Sequence, residues 1–161
     1  MSGISLKREG AKTARGELRP GEVSAAVPDT ADAELYFIGR IATPWKTRDE
    51  CPRRGDPAGP VCRIEIDERW KAALAGMEKH SHLQVLYWMH LARRDLVLQN
   101  PRGGGATHGT FALRSPLRPN PIASSIVALE RIEGCTLYVR GLDCIDGTPL
   151  LDLKPEHCPK A

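Results

Sequence analysis

The sequence predicts a mainly β protein: a small antiparallel β-barrel with one short helix and long proline- and glycine-rich loops. Three observations lead there. About seven runs of apolar, branched and aromatic residues have the length and alternation of strands. A single stretch carries helical spacing. Thirteen prolines and fifteen glycines punctuate the intervals, and many short strands separated by such turns close most readily into a barrel or sandwich.

A chain of 161 residues has the size of one domain and buries most of the surface that it exposes when unfolded. No apolar run approaches the ~18 residues of a membrane span, and no apolar segment of a signal peptide opens the chain. A cytoplasmic protein is expected. Cys51, Cys62, Cys135, Cys144 and Cys158 are odd in number and never spaced C-x-x-C, which argues against a zinc site or a disulfide framework. No metal is expected. The net charge of +3 implies little, but its distribution implies more. Arg93, Arg94, Arg102, Arg114 and Arg118 face one acid, Asp95, and Arg40, Lys46, Arg48, Arg53 and Arg54 form a second basic cluster. Brought together, they suit a polyanion; apart, they are a solvated rim.

In chain order, residues 1–33 lack any sustained apolar period and read as a flexible tail, leaving 34–161 as the barrel domain. Leu35–Ile41 is a strand-length run, stopped by Thr43-Pro44-Trp45. Residues 46–60 are a long loop with Pro52, Gly55, Pro57, Gly59 and Pro60, and loops of that length carry function or disorder. Val61–Ile66 alternates, with Cys62, Ile64 and Ile66 on one face. Asp67 suits a helix N-cap, and Trp70, Ala73, Leu74 and Met77 mark an inward helical stripe, so a helix is expected over Glu68–Ala75 with Trp70 and Met77 in the core. His82–Leu91 is apolar on both faces, as in a strand covered on both sides. His80 and His82 share a strand face without a third metal ligand, and His90 ends the strand.

Leu96–Leu98 is a short strand. Residues 99–107, with Gly103-Gly104-Gly105, are a loop that lacks both the P-loop and the dinucleotide-binding patterns. Ile122–Ile132 and Cys135–Gly141 form a hairpin turned at Glu133-Gly134. Asp146-Gly147 is a turn, and Leu150–Leu153 a last short strand. Asp143, Asp146 and Asp152 cluster there, either as turn polars or as groups that face a cation.

The stretch least like scaffold is Arg114-Ser-Pro-Leu-Arg-Pro-Asn-Pro-Ile122. Pro116, Pro119 and Pro121 each fix φ and push the preceding residue out of the helical region. The loop is therefore extended and stiff before anything binds, and it presents Arg114, Ser115, Arg118 and Asn120 between the apolar, strand-like flanks Phe111/Leu113 and Ile122/Ile126/Val127. Rigid loops with polar groups on a β scaffold are a common way to build a site.

This signature resembles that of the TsaA-like, TrmO-type methyltransferase family, whose best-known members use S-adenosylmethionine to methylate threonylcarbamoyl-adenosine beside a tRNA anticodon. The likeness extends from Ile38-Gly-Arg-Ile-Ala-Thr-Pro-Trp45 through Pro52-Arg53, Ser81-His-Leu83 and Pro101-Arg102 to Asp146-Gly-Thr-Pro149 and Asp152-Leu-Lys-Pro155. It implies a small barrel, a homodimer, and S-adenosylmethionine near the subunit interface. It places cofactor contacts at Pro52, Arg53, Arg54, His90, Leu91, Arg114, Ser124, Ile145, Asp146, Gly147 and Thr148. It places Arg102, Arg118 and Asn120 toward the substrate, which for this family is a tRNA.

These residue types fit the ligand. A carboxylate wants guanidinium, a sulfonium wants a carboxylate such as Asp146, and adenine wants apolar walls. The reaction implied is an in-line displacement by a substrate nitrogen, for which placement of the reactants does most of the work. Asn120, Asp143 and Asp146 are candidates to take a proton or orient the base, with none assigned as the catalytic residue. The chain departs from the family in Ala123, where glycine is usual, and in Glu156, where an aromatic is usual. It also ends without the extra C-terminal domain of many bacterial members, which would leave tRNA recognition to the basic segments, the tail or a dimer groove. The alternatives are a methyltransferase of this fold acting on another nucleoside or small molecule, and a non-catalytic RNA- or ligand-binding β module.

Overall fold

Alternation decides which way each strand faces. In a computed structural model, which describes residues 17–101, 103 and 105–157, Cys62, Ile64 and Ile66 are buried while Arg63 between them is exposed. The same rule holds at Leu83, Val85 and Tyr87, and at Leu137 and Val139. Among the described residues there are nine strands: β1 (Val23–Ser24), β2 (Gly39–Ala42), β3 (Cys62–Ile66), β4 (His82–Trp88), β5 (Leu96–Gln99), β6 (His108–Gly109), β7 (Ile122–Glu133), β8 (Thr136–Arg140) and β9 (Thr148–Pro155). Six of them close an antiparallel barrel in the order β2-β3-β8-β7-β4-β9, with the last pairing back onto the first. The barrel interior is filled by Ile41, Ile64, Leu83, Val85, Val127, Leu137, Val139 and Leu150.

The chain forms two compact units. One is Asp32–His90 with the described part of Ile122–Ala161 and contains the barrel; the other is Leu91–Pro121 with the described part of Met1–Ala31. The second unit holds the sheet β1-β5-β6. Residues 17–25, expected in a tail, are part of it. Val23 and Ser24 pair with β5, Ala25 N–H donates to Asp95 at 2.7 Å, and Arg19 donates to the carbonyls of Asn100 and Pro101 at 3.1 and 3.0 Å. A short polar segment without an apolar period shows no such pairing in its sequence; partner backbone supplies it. Residues 1–16 lie outside the described residues, as do Arg102, Gly104 and Cys158.

Several elements differ from expectation. The first barrel strand starts at Gly39, four residues after Leu35, which with Tyr36 is exposed. The ladder runs from Gly39, paired with Ile66 of β3 and Leu150 of β9, and Ile38 before it still donates to Leu150 O at 2.9 Å and accepts from Asp67 N–H at 3.0 Å, so backbone pairing stops at Ile38 and does not reach Leu35–Phe37. Gly39 is required at this position, because a Cβ would stand 2.0 Å from the Glu65 carbonyl oxygen.

The Glu68–Leu74 helix forms as a 3₁₀ helix, and Gly76, at φ +87°, separates it from a second turn at Met77–Lys79. Tightening to three residues per turn rotates the stripe. Leu74 stays in the core and Met77 packs against it, but Trp70 is left 37% exposed at the rim of a shallow apolar pocket with Ile38 and Ile66.

β4 ends at Trp88 and not at Leu91, and its outward Leu86 and Trp88 are half-buried where full cover was expected. Phe111, expected in a strand-like flank, lies in a 3₁₀ turn, Thr110–Ala112, and is exposed. Gln99 and His108, expected in one loop, pair across β5 and β6. The β7–β8 hairpin turns at Gly134, φ +60°, as expected.

Candidate functional site

In the barrel unit, the loop of residues 46–60 is locked to the segment before β9. Gly55 sits so close to Gly141 that a Cβ on it would stand 1.8 Å from the Gly141 carbonyl oxygen. The first 3₁₀ turn of the loop, Arg48–Glu50, is capped by Glu50, whose carboxylate accepts from the N–H groups of Lys46 and Thr47 at 2.6 and 3.0 Å. On this fixed loop Pro52 is half-buried. Arg53 and Arg54 are exposed and make no hydrogen bond or ion pair among the described residues. Two unpaired guanidiniums held on a rigid turn are a ready anion clamp.

The Asp146 turn faces the start of this loop. Asp146 Oδ1 accepts from Thr43 N–H at 3.0 Å and Oδ2 pairs with Lys46 Nζ. Its own N–H donates to Trp45 O at 2.7 Å, and Gly147 N–H to Ile41 O at 2.8 Å. Thr148 closes the turn onto the Ile145 carbonyl through both N–H (3.2 Å) and Oγ1 (2.6 Å). Both carboxylate oxygens are therefore engaged, and Asp146 is a brace for the Thr43–Lys46 segment, not a free base. An open cleft of about 320 Å³ lies beside it, lined among others by Thr43, Lys46, Pro60 and Arg63.

The Lys46 ammonium and the Thr43 N–H hold the Asp146 carboxyl below its ordinary value of 3.8. A depressed carboxylate stabilises the fold at pH above the unfolded value, and that contribution disappears as the pH falls through the folded value. Chemical denaturation from pH 7 down to pH 2 is thus expected to show wild type more stable than Asp146→Asn at neutral pH, with the gap closing below about pH 3.8. A constant gap would mean that the ion pair is not what the turn relies on.

Asp143 differs from Asp146. Its Oδ1 accepts a hydrogen bond of 2.8 Å from the Tyr87 hydroxyl, which also lies 2.8 Å from Ser125 Oγ. Its other oxygen makes no hydrogen bond among the described residues. Burial, with the nearby Asp143 charge, pushes the Tyr87 phenol up, so Tyr87 stays a donor and fixes the carboxylate. Next to Ser125, the Ser124 hydroxyl accepts from Gln84 Nε2 at 3.0 Å. At the end of β4, the His90 N–H donates to Trp88 O at 2.8 Å, leaving His90 at an exposed bend.

The second unit holds Leu91, Arg114, Arg118 and Asn120. Leu91 is exposed. The proline loop is irregular and cross-braced. Arg118 Nη1 donates back to the carbonyls of Leu113 and Ser115 at 3.2 and 3.3 Å, and Ser115 Oγ accepts from Leu117 N–H at 3.2 Å. Arg94 donates to Pro119 O and, at 3.2 Å, to Asn120 Oδ1. Gln99, only 2% exposed, donates from Nε2 to Leu117 O and, at 2.9 Å, to Thr110 Oγ1. Arg114 is exposed and makes no hydrogen bond or ion pair among the described residues, so its guanidinium is the one this loop leaves available. Arg102 lies outside the described residues.

The structure thus gathers Pro52, Arg53, Arg54, Asp143 and Ile145–Thr148 on one unit, and sets Leu91, Arg114, Arg118 and Asn120 on the other. Sequence reasoning missed Tyr87, Ser125 and Gln99, and noted Lys46 only as part of a basic cluster and Gly55 only as a loop glycine. Only Gln99 carried a signal, as a polar residue ending an apolar strand run.

Comparison with known proteins sharpens this picture. The tRNA-methyltransferase O N-terminal domain family matches residues 40–160. The chain is 51% identical to a probable S-adenosyl-L-methionine-binding protein, VirR, of Rhizobium radiobacter, across 98% of this chain and 90% of that protein. It is 43% identical to a mouse tRNA (adenine(37)-N6)-methyltransferase across 88% of this chain, but spans only 36% of that protein. A crystal structure of TrmO from Pseudomonas aeruginosa superposes with a TM-score of 0.64 at 33% identity, covering 79% of this chain and 57% of that one. A chain with this proline loop and aspartate turn, matched by a family model over three quarters of its length and by half-identical sequence over nearly all of it, belongs to the tRNA-methyltransferase O N-terminal domain family.

Proposed function

We propose that the protein is an S-adenosylmethionine-dependent methyltransferase that N6-methylates an adenosine, bearing a threonylcarbamoyl group, beside the anticodon of a tRNA. The family match over residues 40–160 carries this reading. The barrel residues fit the cofactor's chemistry. Arg53 and Arg54 offer unpaired guanidiniums to its carboxylate. Ile145 and exposed Gly147 give the adenine a wall and an opening without a side chain, while Pro52, His90, Ser124, Asp146 and Thr148 shape the surroundings. Bound there, S-adenosylmethionine supplies an electrophilic methyl group on a sulfonium. The family likeness extends the cofactor set to Leu91 and Arg114, and assigns Arg118 and Asn120 to the substrate.

The chain's own task is orientation. The substrate N6 gains a methyl and loses a proton, and Asp143, held by Tyr87 with one oxygen unengaged, is the carboxylate best placed by its hydrogen bonding to receive it. Asp146, doubly engaged, positions the Thr43–Lys46 segment.

The protein is further read as a cytoplasmic homodimer. Ile122 and Ile126, exposed on the outward face of β7, support a second copy, and sedimentation velocity tests it. Among the described residues no helix is long and apolar enough to cross a membrane.

Two measurements test the function. Calorimetric titration with S-adenosylmethionine is expected to show saturable binding. Labelled methyl transfer is expected to tRNA that carries the carbamoyl modification and to fall in tRNA that lacks it. Binding without transfer to either pool points to another nucleoside or a small molecule; no binding at millimolar cofactor overturns the enzyme reading. Arg114→Ala is expected to weaken cofactor affinity about tenfold or more, because a hydrogen bond to a charged group contributes ~1.5–3 kcal/mol. Unchanged affinity would remove Arg114 from the site.

A further inference from the structure

The inward face of β4 and β7 is aliphatic at Leu83, Val85 and Val127 and then turns polar. Ser125 lies opposite Val85 and shares its inward face, and Tyr87 is the next inward residue of β4, only 3% exposed. The Tyr87 hydroxyl stands 2.8 Å from both Ser125 Oγ and Asp143 Oδ1. A phenol has a single proton to give. It goes to Asp143, so the Ser125 hydroxyl donates to the phenol oxygen. The chain of bonds therefore has a direction, from Ser125 through Tyr87 to Asp143, and each link strengthens the next where water is excluded.

The backbone beside Asp143 is held as firmly. Buried Thr43 donates from Oγ1 to Cys144 O at 2.9 Å, buried Thr148 from Oγ1 to Ile145 O at 2.6 Å, and Asp146 N–H to Trp45 O at 2.7 Å. Asp143 is thus fixed through its neighbours' carbonyls and at one carboxylate oxygen. The 46–60 loop adjoins it: burial, then the Asp143 charge, pushes the Cys51 thiol up, and Cys51 immediately precedes Pro52, Arg53 and Arg54. A network that served only to satisfy a buried phenol needs one carbonyl. This one holds a half-engaged carboxylate beside the loop that carries the unpaired guanidiniums.

We propose that Tyr87 and Ser125 are positioning residues for methyl transfer, holding Asp143 in the orientation that leaves its second oxygen to the substrate N6. This rests on the methyltransferase reading and deepens it. In that step the bond from N6 to the methyl carbon forms, the electron pair of the broken carbon–sulfur bond stays on sulfur, and the N6 proton passes to the second oxygen of Asp143. Tyr87 and Ser125 act through Asp143 alone.

The test has two arms. In the full chain without cofactor, proton NMR is expected to show the Tyr87 hydroxyl as a downfield, slowly exchanging resonance. Tyr87→Phe removes it, which assigns it, and Ser125→Ala moves it upfield. With carbamoyl-modified tRNA, Tyr87→Phe keeps the ring and is expected to lower kcat about tenfold to a hundredfold, while cofactor Kd and the KM for tRNA stay at their wild-type values. Ser125→Ala lowers kcat by a smaller factor. Asp143→Asn lowers it about a hundredfold or more, and adding Tyr87→Phe to that variant lowers it no further, since nothing is left to position. Wild-type kcat in Tyr87→Phe, or in Ser125→Ala should the first variant not fold, overturns the proposal. So does a loss in Tyr87→Phe that multiplies with that of Asp143→Asn, which makes the phenol a structural residue. An unmoved resonance in Ser125→Ala overturns the role of Ser125. Wild type that methylates no tRNA overturns the methyltransferase reading and this role with it; wild type that methylates tRNA no faster than Tyr87→Phe overturns this role alone.

Discussion

Gly55→Ala is expected to cost about 3 kcal/mol or more, because overpacking against fixed backbone has no side chain to push aside. The new Cβ would stand 1.8 Å from the Gly141 carbonyl oxygen and 2.6 Å from its carbonyl carbon. Either the 46–60 loop lifts off the barrel or the Gly141–Leu142 segment shifts. Gly141 is itself at φ +107°, a conformation that leaves its own residue type no substitute. For a chain of this size the loss corresponds to a fall of about 6–12 °C in melting temperature. Circular dichroism melts check it, with Gly109→Ala as control: Gly109 has φ −58° and nothing within 4 Å of a built Cβ, so its melt is expected to match wild type. A Gly55→Ala protein that melts with wild type would show that Arg53 and Arg54 ride on a loop free to move. Where the loop lifts without unfolding, cofactor affinity falls with it, and calorimetry separates the two outcomes.

Gln99→Leu is expected to cost about 2–3 kcal/mol, since leaving a buried polar group unsatisfied costs ~1–3 kcal/mol and the lost bond to Thr110 adds to it. The leucine repacks most of the volume but abandons Leu117 O and removes one of two bonds at Thr110 Oγ1. A urea titration is expected to show a lower midpoint with an unchanged slope. The functional consequence follows from position. Gln99 ties β5 to the middle of the proline loop, three residues from Arg114, so cofactor affinity is expected to fall in the same variant although Gln99 touches no ligand. Wild-type stability in Gln99→Leu would mean that the three prolines alone stiffen the loop.

These two variants mark where sequence reading stopped. The prolines at 116, 119 and 121 announced an extended loop, because proline acts on its own φ and on its neighbour whatever surrounds it. They did not announce Gln99, whose role depends on β5 running beneath the loop. The alternation of Cys62, Ile64 and Ile66 was legible, because a period of two needs only a buried side. The start of β2 was not: Leu35–Phe37 has the right residues, yet the ladder begins at Gly39, with Ile38 the last residue before it to bond to neighbouring backbone. Trp70 was misplaced inside the core, because an α-helix and a 3₁₀ helix put different residues on one face. Of the three clustered aspartates, only packing distinguishes Asp143, tied to one phenol, from Asp146, engaged at both oxygens.

By itself, the sequence determined the β-rich architecture and the turns at Gly134 and Asp146-Gly147, since each follows from local backbone preference or from a repeating apolar period. Tertiary structure alone decided which polar groups are spent and which remain: Asp146, Arg118 and Asn120 are bound into the framework, whereas Arg53, Arg54 and Arg114 make no bond among the described residues. The physical reason is that a hydrogen bond is satisfied by whatever backbone folding brings within about 3 Å, and that distance is not a property of any short stretch of chain.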